Sequence, residues 1–265
     1  MFTMKFVTAA LAILSCAPVA SASITPTNWW TFNQTGSGTA LDAAGGANGT
    51  LAGPAVMAAG GISNGCLDVR EGGWANMGNI LPETGGASFS MSVWIATSST
   101  STSSTIIAGR HITGTFNGYM MRVNADTGGY GIATRASFYQ SNSPANTAVG
   151  TSDVTDGVLW HHLVATYAAG GNLNLYVDGA LQASIPTQTI NANAANFIVG
   201  GVFSTPNSAI INSFNGLIDE LQMYDRAITP AEVEFLRTHP GQAIPAPGAA
   251  AAIGLTGLLT ARRRR

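Results

Sequence analysis

Apolar and polar residues alternate with a period of two along most of this chain. Ser88 to Ala96 (SFSMSVWIA) sets Phe89, Met91, Val93 and Ile95 on one face, the pattern of a strand with one buried side. Asn172 to Val177 repeats it, with Leu173, Leu175 and Val177 opposed by Asn172, Asn174 and Tyr176. Asp178-Gly179 follows. Both positions tolerate positive φ, which predicts a tight hairpin turn, and Leu181, Ala183 and Ile185 alternate on the return. Trp160 to Tyr167 is a β-rich run that Gly170-Gly171 closes. Further strands are predicted at Trp29–Asn33, Thr105–Ala108, Tyr119–Val123, Gly131–Phe138, Phe197–Gly201 and Leu217–Tyr224. One helix is predicted between the two ends of the chain, at Pro230–Thr238. Thr229 is placed to cap it, Pro230 suits its first turn, and Glu232 and Glu234 favour its N-terminal end. Thr97–Ser104 (TSSTSTSS) is low in complexity and reads as an exposed loop. No tandem repeat of fixed period is present.

The two ends carry a different signal. Met1–Ala22 has one early cation, Lys5, an apolar run from Phe6 to Ala17 and the small triplet Ala20-Ser21-Ala22, the layout of a secretory signal peptide. Ile13-Leu14-Ser15-Cys16 offers an alternative, a loose lipoprotein box that would lipidate Cys16. At the other end Ala249–Ala261 is a 13-residue apolar run followed by four arginines. It falls short of the ~20 residues that span a hydrocarbon core. It can pause in a bilayer with its cations on the cytoplasmic face. Pro245–Arg265 resembles the bacterial Pro-Glu-Pro C-terminal sorting signal (PEP-CTERM), read by an exosortase. It has the Pro-x-Pro start, the Gly/Ala/Leu-rich run and the terminal arginines, and it departs from that signal at Ala246, where the family has Glu. A short tail anchor is the alternative. The chain therefore divides into a signal peptide at 1–22, a domain at 23–241 and a sorting or short transmembrane segment at 242–265. Either reading of the tail places the domain outside the cytoplasm, secreted or at the cell surface, with transient membrane contact through the tail.

Removing the ends changes the charge picture. The whole chain has 11 Lys+Arg and 13 Asp+Glu, but Lys5 and Arg262–Arg265 lie in the ends, so the domain keeps six basic residues and all 13 acidic ones, a net of −7. It contains no lysine. Nucleic-acid binding needs a basic footprint, and this composition excludes it. An acidic surface suits divalent cations or neutral ligands such as glycans. Cys66 is the one cysteine outside the signal. No internal disulfide is possible, and its place in GCLDVR reads as a small buried hydrophobe.

Five segments, in order, resemble the laminin-G-like jelly-roll domain of the concanavalin A-like superfamily. They are WWTFN…LDAAGGANGTL (Trp29–Leu51), GISNGCLDV, FSMSVWI, DGVLWHHLVATY…LNLYVDGAL and FNGLIDELQMYDRAITPAEVEFL. The resemblance runs from about Trp29 to Leu236. It implies an all-β fold of two antiparallel sheets packed face to face. It also implies a structural calcium site that ties the opening loop to the closing strand. Asp42, Asn48 and the Gly-rich backbone between them offer oxygens in that loop, and Asp219 is their distant partner. A plain Asx-turn at Asp42 is the alternative.

Chemistry for catalysis is sparse. Glycoside hydrolases of this fold carry Glu-x-Asp-x-x-Glu on one strand, whereas the nearest cluster here is Asp219-Glu220 with Asp225, without that spacing. His161 and His162 are neighbours on a strand and point to opposite faces, so they cannot chelate one metal well. One is expected to be hydrogen-bonded or in the core and the other exposed. Trp74, Tyr119, Tyr130, Tyr139 and Phe203 are candidates for stacking on a sugar ring. Arg110, His111, Arg122 and Arg135 are candidate ligand contacts. The sequence thus points to a non-enzymatic binding module for extracellular carbohydrate or a surface protein. The alternatives are an architectural matrix protein and a glycoside hydrolase of concanavalin A-like fold.

Overall fold

Strands that are apolar on one side must bury that side, and here they do so by packing one antiparallel sheet on another. A computed structural model describes residues 23–36, 38–80, 86–100, 105–112, 117–124, 132–140, 146–204 and 208–246. Residues 1–22, where a signal peptide is expected, and the tail beyond Ala246 lie outside the described residues. Thr25–Ile244 form one compact unit, and the sandwich belongs to it.

One sheet runs in the order Ala180–Pro186, Asn172–Val177, His161–Tyr167, Phe89–Ala96, Leu217–Tyr224, Asn64–Asp68 and Val56–Gly61, with Asn28–Trp30 also paired to Leu217–Tyr224. The other runs Thr147–Asp153, Arg135–Gln140, Asn117–Val123, Thr105–Ile112, Ile198–Val199, Trp74–Asn76, Gly49–Ala52 and Thr39–Ala40. Val202–Phe203 and Ile210–Ile211 extend it at one corner. The core lies between the sheets. Phe89, Met91, Val93 and Ile95 fill it as their alternation requires, against Tyr119, Met121, Phe138 and Phe197 from the facing sheet. Phe89 is the hub of a ring cluster, with Tyr119 at 4.7 Å and Tyr167 at 5.3 Å between centroids.

Asp178 and Gly179 take φ of 50° and 81°, so the hairpin turn is the one expected. The return strand differs from its alternation. Leu175 pairs with Ala183 but Tyr176 pairs with Leu181, so a bulge at Gln182 turns Leu181 outward, 55% exposed. The helix spans Pro230–Thr238 with a complete capping box. Thr229 Oγ1 accepts the Glu232 N–H, and Glu232 Oε2 accepts the Thr229 N–H at 2.7 Å. Glu232 also takes both terminal nitrogens of Arg226.

The strand Leu217–Tyr224 carries a second bulge. Asp219 pairs with Trp94 and Gln222 with Ser92, and Glu220 sits at φ 48°. Ile218 and Leu221, three residues apart, therefore both reach the core, and Asp219 and Glu220 both lie off it. The alternation missed several strands, among them Val56–Gly61, Trp74–Asn76 and Thr147–Asp153. VMAAGG and TAVGTSD are small-residue runs without regular apolar spacing, and the two neighbours of Ala75 are only half-buried.

Side-chain amides join the two edge strands on one flank. Gln182 Oε1 accepts the N–H groups of Thr151 at 2.8 Å and Ser152 at 3.0 Å. Gln140 donates to Pro186 O at 3.0 Å and accepts from Gln188 N at 3.1 Å. Gln182→Ala is expected to cost about 1 kcal/mol and to speed amide exchange at Thr151 and Ser152 while the core amides stay protected. Hydrogen-exchange mass spectrometry checks this, and unchanged exchange at those two residues would refute it.

Candidate functional site

The expected calcium set divides in two. Asp42 is buried and both its oxygens are engaged. Oδ1 accepts the N–H of Trp29 at 2.8 Å and of Ala44 at 3.0 Å. Oδ2 accepts Asn28 Nδ2 at 2.8 Å and Ala47 N at 3.1 Å. Asn48 Oδ1 accepts the Asp42 N–H at 2.9 Å. This is a closed turn in which the carboxylate organises N–H donors, and a cation there would displace them. Asp219 belongs to other partners, with Oδ2 on Ser63 N at 3.1 Å and Oδ1 on Glu220 N at 2.7 Å. Among the described residues, no group of three or more His, Cys, Asp or Glu is placed to hold a metal.

Asp219 and Glu220 form a pair of their own. They are 0% and 2% exposed. Burial pushes the Asp219 carboxyl up to about 8, and burial likewise raises Glu220 to about 7. Trp29 Nε1 donates to Glu220 Oε2 at 2.6 Å. The other oxygen, Oε1, lacks a geometrically complete hydrogen bond, with Ser63 and Gln222 close by. Cys66 is buried nearby, and burial followed by the Asp219 charge raises its thiol to about 11, an unreactive setting.

The histidines are both buried, so neither is the exposed one expected. His162 bonds to Ser92 Oγ at 2.8 Å and stacks on Trp94 at 4.8 Å, and burial lowers it to about 3, holding it neutral. His161 Nδ1 meets Asp178 Oδ2 at 2.8 Å, with Asp156 Oδ2 3.5 Å from Nε2. The Asp178 hydrogen bond raises the His161 pKa. Asp178 Oδ1 also accepts the His162 N–H at 2.8 Å. The turn carboxylate thus ties the strand start to the hairpin.

Most of the proposed sugar contacts are enclosed. Tyr119, Tyr139 and Phe203 are buried, Tyr130 lies outside the described residues, and Trp74 is half-buried edge-on to Phe203 at 5.9 Å. Arg110 faces inward and donates to Ile80 O and Asn193 O, each at 2.8 Å. Arg122 lies over the Tyr139 ring and donates to Ser137 Oγ at 3.2 Å. His111 packs edge-on to Tyr139, and burial lowers it to about 4. Arg135 is half-buried and donates to Thr151 O. These groups support the strands that carry them, because a buried charge or ring nitrogen needs local partners.

Among the described residues, two open depressions that share Arg70 lie at the end of the strands Asn64–Asp68, Phe89–Ala96 and Leu217–Tyr224. The larger, about 360 Å³, is lined by Pro54, Val56, Asp68, Arg70 and Glu71. The smaller, about 190 Å³, includes Arg70, Thr97, Ser98, Gly157, Asn215 and Leu217. Arg70 is held by Asp68, which takes Nε and Nη2 together. Glu71 stands in the left-handed region at φ 64°. None of these residues was singled out from the sequence as a ligand contact, and only Thr97 and Ser98 fell in a run read as an exposed loop. The Glu-Gly-Gly run after the strand was the available signal.

A profile of the laminin G type, described as the concanavalin A-like lectin/glucanases superfamily, matches residues 71–234. The chain belongs to this superfamily. No curated protein matches it in sequence. Among solved structures, it is similar to domain 4 of AbnA, a GH43 extracellular arabinanase from Geobacillus stearothermophilus, solved in complex with arabinotriose. The TM-score is 0.59 at 20% identity, over 82% of this chain and 100% of that one. It is also similar to botulinum neurotoxin type C, whose cell entry is dependent upon interaction with two ganglioside molecules, with TM-score 0.56 at 14% identity. That match covers 81% of this chain and 51% of the toxin chain. The binding domain of Paraclostridial Mosquitocidal Protein 1 gives 0.59 at 14% identity, over 80% and 52%. This chain spans about half the length of the toxin domains it matches. At these identities the likeness is one of fold.

Within this laminin-G-type domain, two predictions follow from the carboxylates. Asp42→Ala leaves four N–H donors without an acceptor and is expected to cost about 3 kcal/mol, equally in calcium and in EDTA. Denaturation in both buffers checks this, and a cost seen only with calcium would make Asp42 a ligand. Asp178→Asn keeps a residue that tolerates φ 50° but removes the charge beside His161. A raised histidine pKa stabilises the fold below the unfolded value and loses that effect as pH rises through the folded value. Wild type should therefore exceed Asp178→Asn by roughly 0.5–1 kcal/mol near pH 6, a partly exposed pair being screened, and the gap should close by about pH 8.5. Melting curves across that range decide it, and a gap independent of pH would refute the pairing.

Proposed function

We propose that this domain is a secreted, non-enzymatic binding module whose ligand is extracellular glycan. The observation that carries this reading is where polar groups meet open space. Arg110, Arg122, His111, Tyr119 and Tyr139 are enclosed, whereas the two depressions that meet at Arg70 are open and mixed in polarity. The glycan-bound arabinanase domain and the ganglioside-dependent toxin support the class, since both use this fold near carbohydrate. The carboxylates argue for binding over hydrolysis. Asp219 and Glu220 are adjacent and buried, while glycoside hydrolysis needs two carboxyls flanking a bond in an open cleft, ~5 Å or more apart.

Calcium, in this reading, is structural and belongs with Asp219 and Glu220. Of the pair's four oxygens, Glu220 Oε1 is the one without a geometrically complete hydrogen bond, and it is the donor such a hard cation would take. It would supply charge balance to the closing strand, with no part in catalysis. Export through residues 1–22 and handling of 242–265 by an exosortase-like enzyme complete the proposal.

A glycan-array screen of the protein in calcium-containing buffer tests the reading. Saturable binding to one glycan class, competed by the free sugar, is expected. A blank from folded protein would overturn it in favour of a protein partner or an architectural role, and release of reducing ends would overturn it in favour of a hydrolase.

A further inference from the structure

We infer that the paired depressions at Arg70 recognise the terminal, uncharged sugar residue of a glycan. This rests on the glycan-binding reading and names the ligand class and the contacts. Asp68 occupies Nε and Nη2 of Arg70, fixing the guanidinium plane and leaving Nη1 as the free edge. That side chain is 60% exposed. Three more polar side chains on these walls are exposed and make no hydrogen bond among the described residues: the Glu71 carboxylate, the Ser98 hydroxyl and the Asn215 amide. Their neighbours are committed, which sets them apart. Thr97 Oγ1, for example, donates to Asn215 O at 2.6 Å.

Across the two depressions the four groups offer both donors and acceptors, the mixture that sugar hydroxyls take. A carboxylate accepts two hydroxyl protons, a guanidinium edge and an amide donate to hydroxyl oxygens, and a serine does either. Apolar surface for the C–H side of a ring comes from Pro54 and Val56 in one depression and Leu217 in the other. The charges select the class. Asp68 neutralises Arg70, and Glu71 leaves the rim acidic, so a uronic or sialic acid meets repulsion. The lining selects the terminus. Neither depression has an aromatic side chain in its lining on which a chain of rings could stack.

The loop is built to hold this arrangement. Glu71 keeps a left-handed backbone that disfavours any residue with a Cβ, and strain of this kind persists where the surroundings enforce it. Gly73 enforces it, since a Cβ there would lie 2.6 Å from Ala55 N. The strand-end loop is thereby pressed against the Pro54 turn, and the Glu71 carboxylate stands at the rim.

Calorimetric titration of the full-length protein tests the inference. The probes are methyl glycosides of arabinose, galactose, glucose and mannose, with methyl glucuronide as the acidic comparison. Saturable binding of a neutral glycoside is expected, and none of the glucuronide. Arg70→Ala, Glu71→Asn and Asn215→Ala should each weaken binding at least about tenfold with melting temperatures unchanged to within about 2 °C, because these are exposed groups and Asn accepts the left-handed backbone. Neutral binding that the three variants leave intact would overturn the site while the module reading stands. Preference for the glucuronide would overturn the ligand class. No binding by folded wild type, together with a blank array, would remove both.

Discussion

The strand Leu217–Tyr224 is where the fold's constraints meet. On one side it pairs with Phe89–Ala96 along most of its length. On the other it pairs with two different strands: residues 217–218 with Asp68 and Leu67, and residues 221–223 with Trp30, Trp29 and Asn28. One strand cannot follow two neighbours of different register without a local adjustment. The bulge at Asp219–Glu220 falls at the handover, and it accounts for the positive φ of Glu220. It also brings two carboxylates side by side off the core. Their burial follows from that change of partner, so the charge balance of the strand is a structural matter before it is a functional one.

Much of this was readable in the chain because it depends on local period. Phe89, Met91, Val93 and Ile95 gave one face, and Leu173, Leu175 and Val177 another. The Asp-Gly turn and the helix with its Thr229 cap also stand where their residues place them. What escaped depends on partners distant in sequence. Alternation continues through Leu181, but the bulge at Gln182 reverses it, and a bulge leaves no mark in the strand that bears it. His161 and His162 were split into a buried and an exposed residue because neighbours on a strand face opposite ways. Both faces are covered, one by Asp178 and Asp156 and the other by Trp94 and Ser92.

The same reason explains why candidate contacts were misplaced. A low-charge chain draws attention to its few arginines and its tyrosines. In this sandwich those large polar side chains are spent inside, where Arg110 ties the ends of distant loops and Arg122 lies on Tyr139. The side chains left with unsatisfied chemistry are common ones, a serine, an asparagine and a glutamate on strand-end loops. They become distinctive only when the hydrogen bonds of their neighbours are known. Asp42 is the converse. Its place in a Gly-rich loop suggests a metal ligand, and the count of N–H groups on its oxygens shows a turn organiser.

The glutamines that bridge the flank have a bearing on how copies of this protein behave when crowded. Edge strands invite other edge strands, and soluble proteins commonly deter them with lysine. This domain has no lysine to use. Gln182 instead occupies two edge N–H groups with a neutral oxygen, and Pro186 adds a position with no N–H at all. The deterrent is therefore indifferent to salt and to pH. On this flank, strand pairing between copies packed at high local density would be resisted equally in brine and in acid, where a charge-based guard would fade.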